Sequence, residues 1–277
     1  MRTTCRCRAA AVLALTTLLA ACGGGGSPVD ARPQGAATAT ATAMQARDAV
    51  QVDAGRAERY ALRDRQVVVQ RAADPASAPA GCSVPLPEVL RDARVLRLDT
   101  VNDLLFAGGD AAGGGGVIVA WSLQHTDNGT RVVPARAMFV DGRISSFAVD
   151  PLRKRLVVAG ADGAVRAYAG ADSASGLIAP VATYPVLGSG VAIDAARDRL
   201  YVADLFAGLL IVDHASTPDA DVSATLSLEG ARRVAFDARR DRAVVATGDG
   251  TYVFDHASGL TSASAIPAAA DDPVAIP

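Results

Sequence analysis

Residues 191–213, VAIDAARDRLYVADLFAGLLIVD, contain three short apolar runs separated by charged or small residues. Each run is rich in Val, Ile, Leu or Tyr and is followed directly by Asp, which is typical of short β-strands that end in turns. Every apolar run is broken within about eight residues, which is too short for a helix with one buried face. The stretch therefore predicts three consecutive strands joined by tight turns.

The same layout occurs in four segments, whose first runs end at Asp99, Asp150, Asp194 and Asp237. The runs of the other three segments are residues 95–99, 104–108 and 117–121; 146–150, 156–160 and 164–168; and 234–237, 243–246 and 251–255. A short fourth strand is predicted before each of these aspartates, at residues 87–90, 137–140, 183–186 and 224–227. Four-stranded units that repeat every 40–50 residues are typical of β-propeller blades.

The sequence thus predicts an all-β fold, a β-propeller with four recognisable four-stranded blades. One small sheet cannot cover both of its own faces, so the blades stack around a ring. Residues 273–277 look like the start of another first strand, and residues 63–68 repeat the pattern of residues 197–202. We expect a fifth blade shared by the two termini. A four-bladed ring with a loose N-terminal arm, and an array completed by a second chain, are the alternatives.

A family resemblance accompanies this pattern. Residues 208–213, Gly-Leu-Leu-Ile-Val-Asp, followed by Pro218, resemble the LVIVD repeat of bacterial surface propellers. Residues 191–194 and 200–203 are also similar to YVTN-type propeller repeats. The resemblance covers about residues 86–277 and is strongest in the third unit. It implies a propeller and carries no catalytic residues over to this chain.

The N-terminus has the pattern of a secretory signal peptide. Arg2, Arg6 and Arg8 precede an apolar run at residues 9–21, which is too short to cross a bilayer core of about 30 Å comfortably. Residues 19–22, Leu-Ala-Ala-Cys, resemble the lipobox of bacterial lipoproteins. That resemblance implies cleavage before Cys22, a lipid on its sulfur, and a membrane anchor rather than a membrane span. Gly23 favours the outer membrane by the same analogy, with the protein facing the periplasm or the cell surface.

The chain is accordingly divided into four parts. Residues 1–21 are the predicted signal peptide, and residues 22–55, which are rich in Gly, Ala and Thr, are a predicted flexible tether. Residues 56–85 are an N-terminal arm or a partial blade, and residues 86–277 hold the propeller repeats. Cys5 and Cys7 leave with the signal peptide and Cys22 carries the expected lipid, so Cys82 has no internal disulfide partner. A buried inert thiol is favoured at Cys82 over a reactive one.

Charge and motif content limit the function classes. The net charge is −2, and 24 basic against 29 acidic residues remain without the three N-terminal arginines, which argues against a nucleic-acid partner. His125, His214 and His256 form no recognisable catalytic motif, and the last two occupy matching repeat positions, which favours a structural role. The sequence also has no spacing of residues that is typical of a metal site. We therefore expect no catalytic residues, no metal and no cofactor.

Charged residues recur at the strand ends. Loops between the second and third strands carry Asp110, Asp162, Asp204 and Asp249, and segments leading into the first strands carry Arg94, Arg143, Arg232 and Arg233. In a closed propeller both sets lie on one face, which predicts a ligand site formed by Asp110, Arg143, Asp162, Asp204, Arg232 and Asp249. Turn formation is the alternative role for each aspartate. The opposite loops, at residues 153–155, 197–199 and 240–242, predict solvated tips or a positive patch.

These observations favour a binding role over an enzymatic one. The expected protein is a lipid-anchored propeller of the cell envelope, held to the membrane through Cys22, which binds an envelope protein or a ligand as a scaffold. The alternative is a propeller enzyme, either a lactonase-like hydrolase or a quinone-dependent dehydrogenase. That alternative requires a channel lined by histidines or acids with a bound metal or cofactor.

Overall fold

The five sheets of this protein are all small and antiparallel in their principal pairings, and they are arranged as a five-bladed β-propeller. A computed structural model describes residues 50–71, 82–126 and 129–270. Within these ranges, no helix is long and apolar enough to cross a membrane. The predicted all-β propeller is confirmed.

The strands follow one another in blade order. Blade 1 comprises β1 (Val50–Asp53), β2 (Glu58–Arg63), β3 (Gln66–Arg71) and β4 (Cys82–Pro85), and blade 2 comprises β5 (Leu90–Asp99), β6 (Leu104–Ala111), β7 (Gly116–Thr126) and β8 (Gly129–Val140). Blade 3 comprises β9 (Ile144–Asp150), β10 (Arg155–Gly160), β11 (Ala164–Ala169) and β13 (Ala182–Leu187), while the two-residue β12 (Gly176–Leu177) pairs with β8. Blade 4 comprises β14 (Gly190–Asp194), β15 (Arg199–Asp204), β16 (Gly208–Asp213) and β17 (Asp221–Leu226), and blade 5 comprises β18 (Arg233–Asp237), β19 (Arg242–Ala246) and β20 (Thr251–Asp255).

The expected fifth blade is present as blade 1, and its four described strands lie within residues 50–85. Residues 50–55, which the sequence assigned to the tether, therefore begin the propeller. Residues 50–53, Val-Gln-Val-Asp, are a short version of the repeated pattern in which an apolar run is followed by aspartate. This pattern explains why they form the first strand of a blade. Three of the four predicted fourth strands are confirmed, and each pairs with the unit before it: β8 joins β7, β13 joins β11 and β17 joins β16. The prediction for residues 87–90 is wrong, because residues 88 and 89 form a turn and Leu90 begins β5, and the strand that pairs with β3 is β4. Cys22, most of the tether and residues 273–277 lie outside the described ranges, as does the side chain of Cys82.

Apolar side chains between neighbouring blades form the core. The first strands lie side by side, with β1 beside β5, β5 beside β9, β9 beside β14 and β14 beside β18. Within the described residues, one cluster around Trp121 and Tyr60 joins blades 1 and 2, and another around Phe106 and Phe147 joins blades 2 and 3. Two further clusters join blades 3 and 4 and blades 4 and 5. At these four interfaces, neighbouring sheets thus bury their apolar faces against each other, as the repeat pattern predicts.

A carboxylate closes the turn after the first strand of each blade. These aspartates are Asp53, Asp99, Asp150, Asp194 and Asp237, and all are at most 6% exposed. Each accepts a backbone N–H two or three residues ahead, as Asp194 Oδ1 does from Ala196 at 3.2 Å and from Arg197 at 3.3 Å. The residue four positions after each aspartate has a positive φ of 49–55°. The repeated aspartate is therefore a turn residue that reverses the chain into the second strand.

We expect Asp194→Ala to lower the free energy of unfolding by about 1–3 kcal/mol, because two backbone N–H groups and the Arg197 side chain lose their acceptor. Asp194→Asn keeps an acceptor oxygen and should lose less. The control is Asp221→Ala, at an exposed position on β17, where we expect a change within about 0.5 kcal/mol. Urea unfolding followed by circular dichroism measures all three, and equal losses at positions 194 and 221 would contradict the assigned role.

Candidate functional site

The two faces of the ring have different chemistry. One face carries the turns between first and second strands and is called the turn face here. The other, called the mouth face, carries the turns between second and third strands and the connections from each blade to the next. The predicted ligand residues all lie on the mouth face. Asp110 and Asp204 lie at the ends of second strands, Asp162 and Asp249 follow second strands, and Arg143 and Arg232 precede first strands.

A cavity of about 420 Å³ lies at the mouth of the central channel. The residues that line this mouth cavity are Arg94, Ser145, Ser189, Leu205, Arg232, Arg233, Ala246 and Thr247. Arg233 Nη1 donates to the Ser145 carbonyl oxygen at 3.4 Å, and this contact joins blades 5 and 3, which are not neighbours. The pair therefore reaches past blade 4 and forms part of the cavity wall.

The mouth cavity is cationic. Three arginines line it, and its lining residues within the described ranges include no carboxylate. Arg94 is balanced by Asp92 and Asp110, at 2.7 and 2.9 Å. Arg232 is exposed, and its side chain has no hydrogen bond or ion pair with any residue in the described ranges. An uncompensated guanidinium at a concave site favours a carboxylate or phosphate group as ligand, which it can bind through two parallel hydrogen bonds.

A second cavity of about 430 Å³ lies beside the first and shares Arg94 with it. Here Asp110 Oδ2 accepts from Arg143 Nη2 at 2.6 Å and from Arg94 Nη2 at 2.9 Å. The hydrogen bond from Arg143 holds the pKa of the Asp110 carboxyl below its ordinary value, and the charge of Arg94 acts in the same direction. Asp110 and Arg143 are thus brought together as predicted, and their charges compensate each other.

Two of the other three predicted aspartates serve their own turns through their carboxylates. Asp204 is buried and accepts the N–H groups of Phe206 and Ala207, at 2.7 and 2.8 Å. Asp162 accepts the Ala164 N–H and pairs with Arg166, whose hydrogen bond lowers the pKa of Asp162. Asp249 is exposed, and its own N–H donates to Thr247 Oγ1. Turn formation, the alternative role, accounts for Asp162 and Asp204.

Blade 4 presents an exposed aromatic ring at the rim of the mouth cavity. Phe206 is 92% exposed, and its neighbour Leu205 lines the cavity. The buried Asp204 fixes this turn, so the ring is held on a defined backbone. The matching turns of the other blades carry Asp, Gly, Ala, Thr or Arg instead. Aligning the repeats would have revealed this exception, which the sequence analysis did not single out.

The three histidines lie on the turn face. His214 and His256 both have positive φ values, at 52° and 55°, directly after the third strands of blades 4 and 5. His125 contacts Thr130 Oγ1 at 2.7 Å and Asp103 Oδ1 at 3.1 Å, and Thr130 Oγ1 donates to the buried Glu58 of blade 1. This network joins blades 1 and 2. No group of three or more His, Cys, Asp or Glu side chains that could hold a metal is found in the described ranges.

The basic turns of that face are ion-paired. Arg153, Arg197 and Arg240 each contact the aspartate three residues before them, at 3.5, 2.9 and 3.1 Å. Arg155, which the sequence placed at a solvated tip, is 6% exposed and pairs with Asp150 and Asp198 between blades 3 and 4. The solvated-tip interpretation is therefore wrong for Arg155, because its guanidinium fills a contact between two blades.

Comparison with protein-family models finds no match for this chain, and comparison with curated proteins finds no similar sequence.

We expect Asp110→Asn to destabilise the protein at neutral pH and to have less effect in acid. Because the folded pKa of Asp110 is lowered, its contribution is present above the unfolded value of about 3.9 and is lost as the pH falls through the folded pKa. The gap in unfolding free energy between wild type and variant should therefore narrow below about pH 4. Urea unfolding at several pH values measures it, with the exposed Asp141→Asn as control. A gap that stays constant with pH would contradict this electrostatic role.

Proposed function

We propose that this chain is a lipid-anchored β-propeller of the bacterial cell envelope that binds a protein partner at its mouth face. The observation that carries the binding role is the mouth cavity, a concave site whose lining, in the part of the chain that the structure describes, has three arginines and no carboxylate. The lipobox-like sequence before Cys22 and the LVIVD-like and YVTN-like repeats support the anchor and the envelope location. The outer membrane, with the propeller facing the periplasm or the cell surface, is the proposed site of attachment.

The chemistry of the mouth face supports an acidic polypeptide as partner. Arg232 offers an uncompensated positive charge, and Phe206 and Leu205 offer apolar surface at the rim of the same cavity. Exposed aromatic residues on a rigid turn lose little conformational entropy on binding, and aromatic residues and arginines are the types that dominate protein interfaces. A partner segment with a carboxylate beside an apolar side chain fits both features.

The anchor is tested by metabolic labelling with an alkyne-bearing fatty acid and by cell fractionation. We expect label on the wild-type protein and its recovery with the membranes. Cys22→Ser should lose both, because the thioether is the proposed lipid attachment, whereas Cys82→Ser, the matched control, should keep both. Label that persists in Cys22→Ser would overturn the proposed anchor.

The binding role is tested with a photo-crosslinking amino acid at position 206 in living cells. We expect a discrete protein adduct whose yield falls at least tenfold on Arg232→Glu, which corresponds to about 1.4 kcal/mol of binding free energy. Arg239→Glu changes an exposed arginine on the turn face and should leave the yield unchanged. Absence of an adduct, or a yield that does not depend on Arg232, would count against the mouth as the binding site.

A further inference from the structure

Blade 2 extends further on the mouth face than the other blades do. Its first strand, β5, has ten residues, whereas the first strands of the other four blades have four to seven. The added residues, 90–94, pair with the end of β6 through two shifts in register, one between Leu90 and Asp92 and one between Ala93 and Val95. Bulges of this kind change the direction of side chains and are common next to binding sites. Blade 2 thus carries an elaboration without which the other four blades form their sheets.

This extension forms one wall of the second cavity. The charged residues that line the cavity come from β5, from β6 and from the connection to blade 3, and they are Arg91, Asp92, Arg94, Asp110 and Arg143. Gly109 permits the bulge, because a Cβ atom at this position would lie 1.7 Å from the Asp92 carbonyl oxygen. The volume of about 430 Å³ is within the range of about 300–1,000 Å³ that is typical of small-molecule sites. Three guanidinium groups and two carboxylates therefore surround one concave space.

The two carboxylates of this cavity lie directly opposite each other. Asp92 and Asp110 are partners across β5 and β6, an arrangement in which like charges repel each other. Arg94 Nη2 bridges them, at 2.7 Å from Asp92 Oδ2 and 2.9 Å from Asp110 Oδ2. The hydrogen bond from Arg143, together with the charges of Arg94 and Arg91, holds the pKa of Asp110 below its ordinary value. At neutral pH the Asp110 carboxylate is therefore an acceptor of hydrogen bonds and not a donor.

One oxygen of Asp110 is not used. Its Oδ2 atom accepts from Arg94 and Arg143, whereas its Oδ1 atom is shielded from solvent and accepts no hydrogen bond from a described residue. A buried carboxylate oxygen without a donor is uncommon in folded proteins, because it costs free energy. The Asp110 side chain is 16% exposed, and the torsion that carries its two oxygens is soft. A small rotation therefore presents the unused acceptor to a hydroxyl group in the cavity.

The lining of the second cavity selects among classes of ligand. A guanidinium group binds a carboxylate through two parallel hydrogen bonds, and a carboxylate accepts hydrogen bonds from hydroxyl groups. A simple anion such as phosphate would be repelled by Asp92 and Asp110, and a neutral sugar would make no ionic contact with the arginines. A ligand that carries a carboxylate beside hydroxyl groups uses both sets of residues.

We propose that the second cavity binds an acidic sugar, a uronic acid, with its carboxylate on Arg91 and a hydroxyl group on Asp110. The carboxylate is assigned to Arg91 because Arg94 and Arg143 already donate to the aspartates of the wall. A free uronic acid and the end of an acidic polysaccharide have this chemistry in common. The site is distinct from the mouth cavity, where the protein partner is proposed to bind, and the described linings of the two cavities share Arg94 alone.

Saturation-transfer NMR titration of the full chain tests the site with galacturonate, galactose, acetate and trigalacturonate. Galactose lacks the carboxylate and acetate lacks the hydroxyl groups, so we expect galacturonate to bind at least tenfold more tightly than either. Both outcomes with trigalacturonate support the site: tighter binding than that of galacturonate indicates the end of a polysaccharide, and equal binding indicates a free sugar. An affinity for galacturonate that is no higher than that for acetate or galactose would overturn the proposal.

Variants of single arginines locate the bound sugar. Arg91 is exposed, so Arg91→Gln should keep the unfolding midpoint of the wild type by circular dichroism while its affinity for galacturonate falls at least tenfold. Arg91→Lys keeps the charge without the paired hydrogen bonds and should lose less. Arg239→Gln, at an exposed position on the turn face, is the matched control and should bind as the wild type does.

Arg232→Gln separates the second cavity from the mouth cavity, and we expect it to leave galacturonate binding unchanged. A loss of binding in Arg232→Gln with none in Arg91→Gln would place the sugar in the mouth cavity and overturn the proposal. Partner adducts at position 206 are a separate readout, so the sugar site and the proposed partner site can each fail without the other.

Discussion

A buried carboxylate at the end of each first strand is the constraint on which this propeller depends. It accepts backbone N–H groups of the following turn, and the residue four positions on takes a left-handed conformation. In blades 3 to 5, the chain after the third strand then returns to the same turn: for example, the N–H of Ala215 donates to the Asp198 carbonyl oxygen at 3.0 Å, and that of Ala257 donates to the Asp241 carbonyl oxygen at 2.8 Å. The same turn therefore holds both the hairpin of the first two strands and the segment that follows the third strand.

This constraint accounts for the difference between the two faces. On the turn face, the charged side chains serve the aspartate turns and the contacts between blades, as Arg155 does between Asp150 and Asp198. Removing one member of such a buried pair leaves an uncompensated charge, so these positions have little freedom to serve a ligand. The mouth face carries the variable turns, and there the chain presents Phe206 and Arg232 without a structural need for either.

The mouth cavity combines residues from blades 2 to 5. Arg94 and Ser145 lie within first strands, and Ser189 and Arg232 directly precede them, in four different blades that the ring brings around one axis. Ser189 Oγ donates to the Arg232 carbonyl oxygen at 2.9 Å, so the hydroxyl holds the backbone that carries the arginine. A site of this kind depends on ring geometry, and a change in blade stacking would alter it even with every residue retained.

The repeats by themselves determined the all-β class, the propeller and the strand positions of blades 2 to 5, because an apolar run followed by Asp encodes both a strand and its turn. They left blade 1 uncertain, since Val50-Gln51-Val52-Asp53 is too short to stand out without its neighbours. Sequence also placed Asp110 and Arg143 on one face, but only the tertiary structure decided that they neutralise each other while Arg232 stays uncompensated. That outcome depends on distances between different blades, and no local pattern in the chain specifies them.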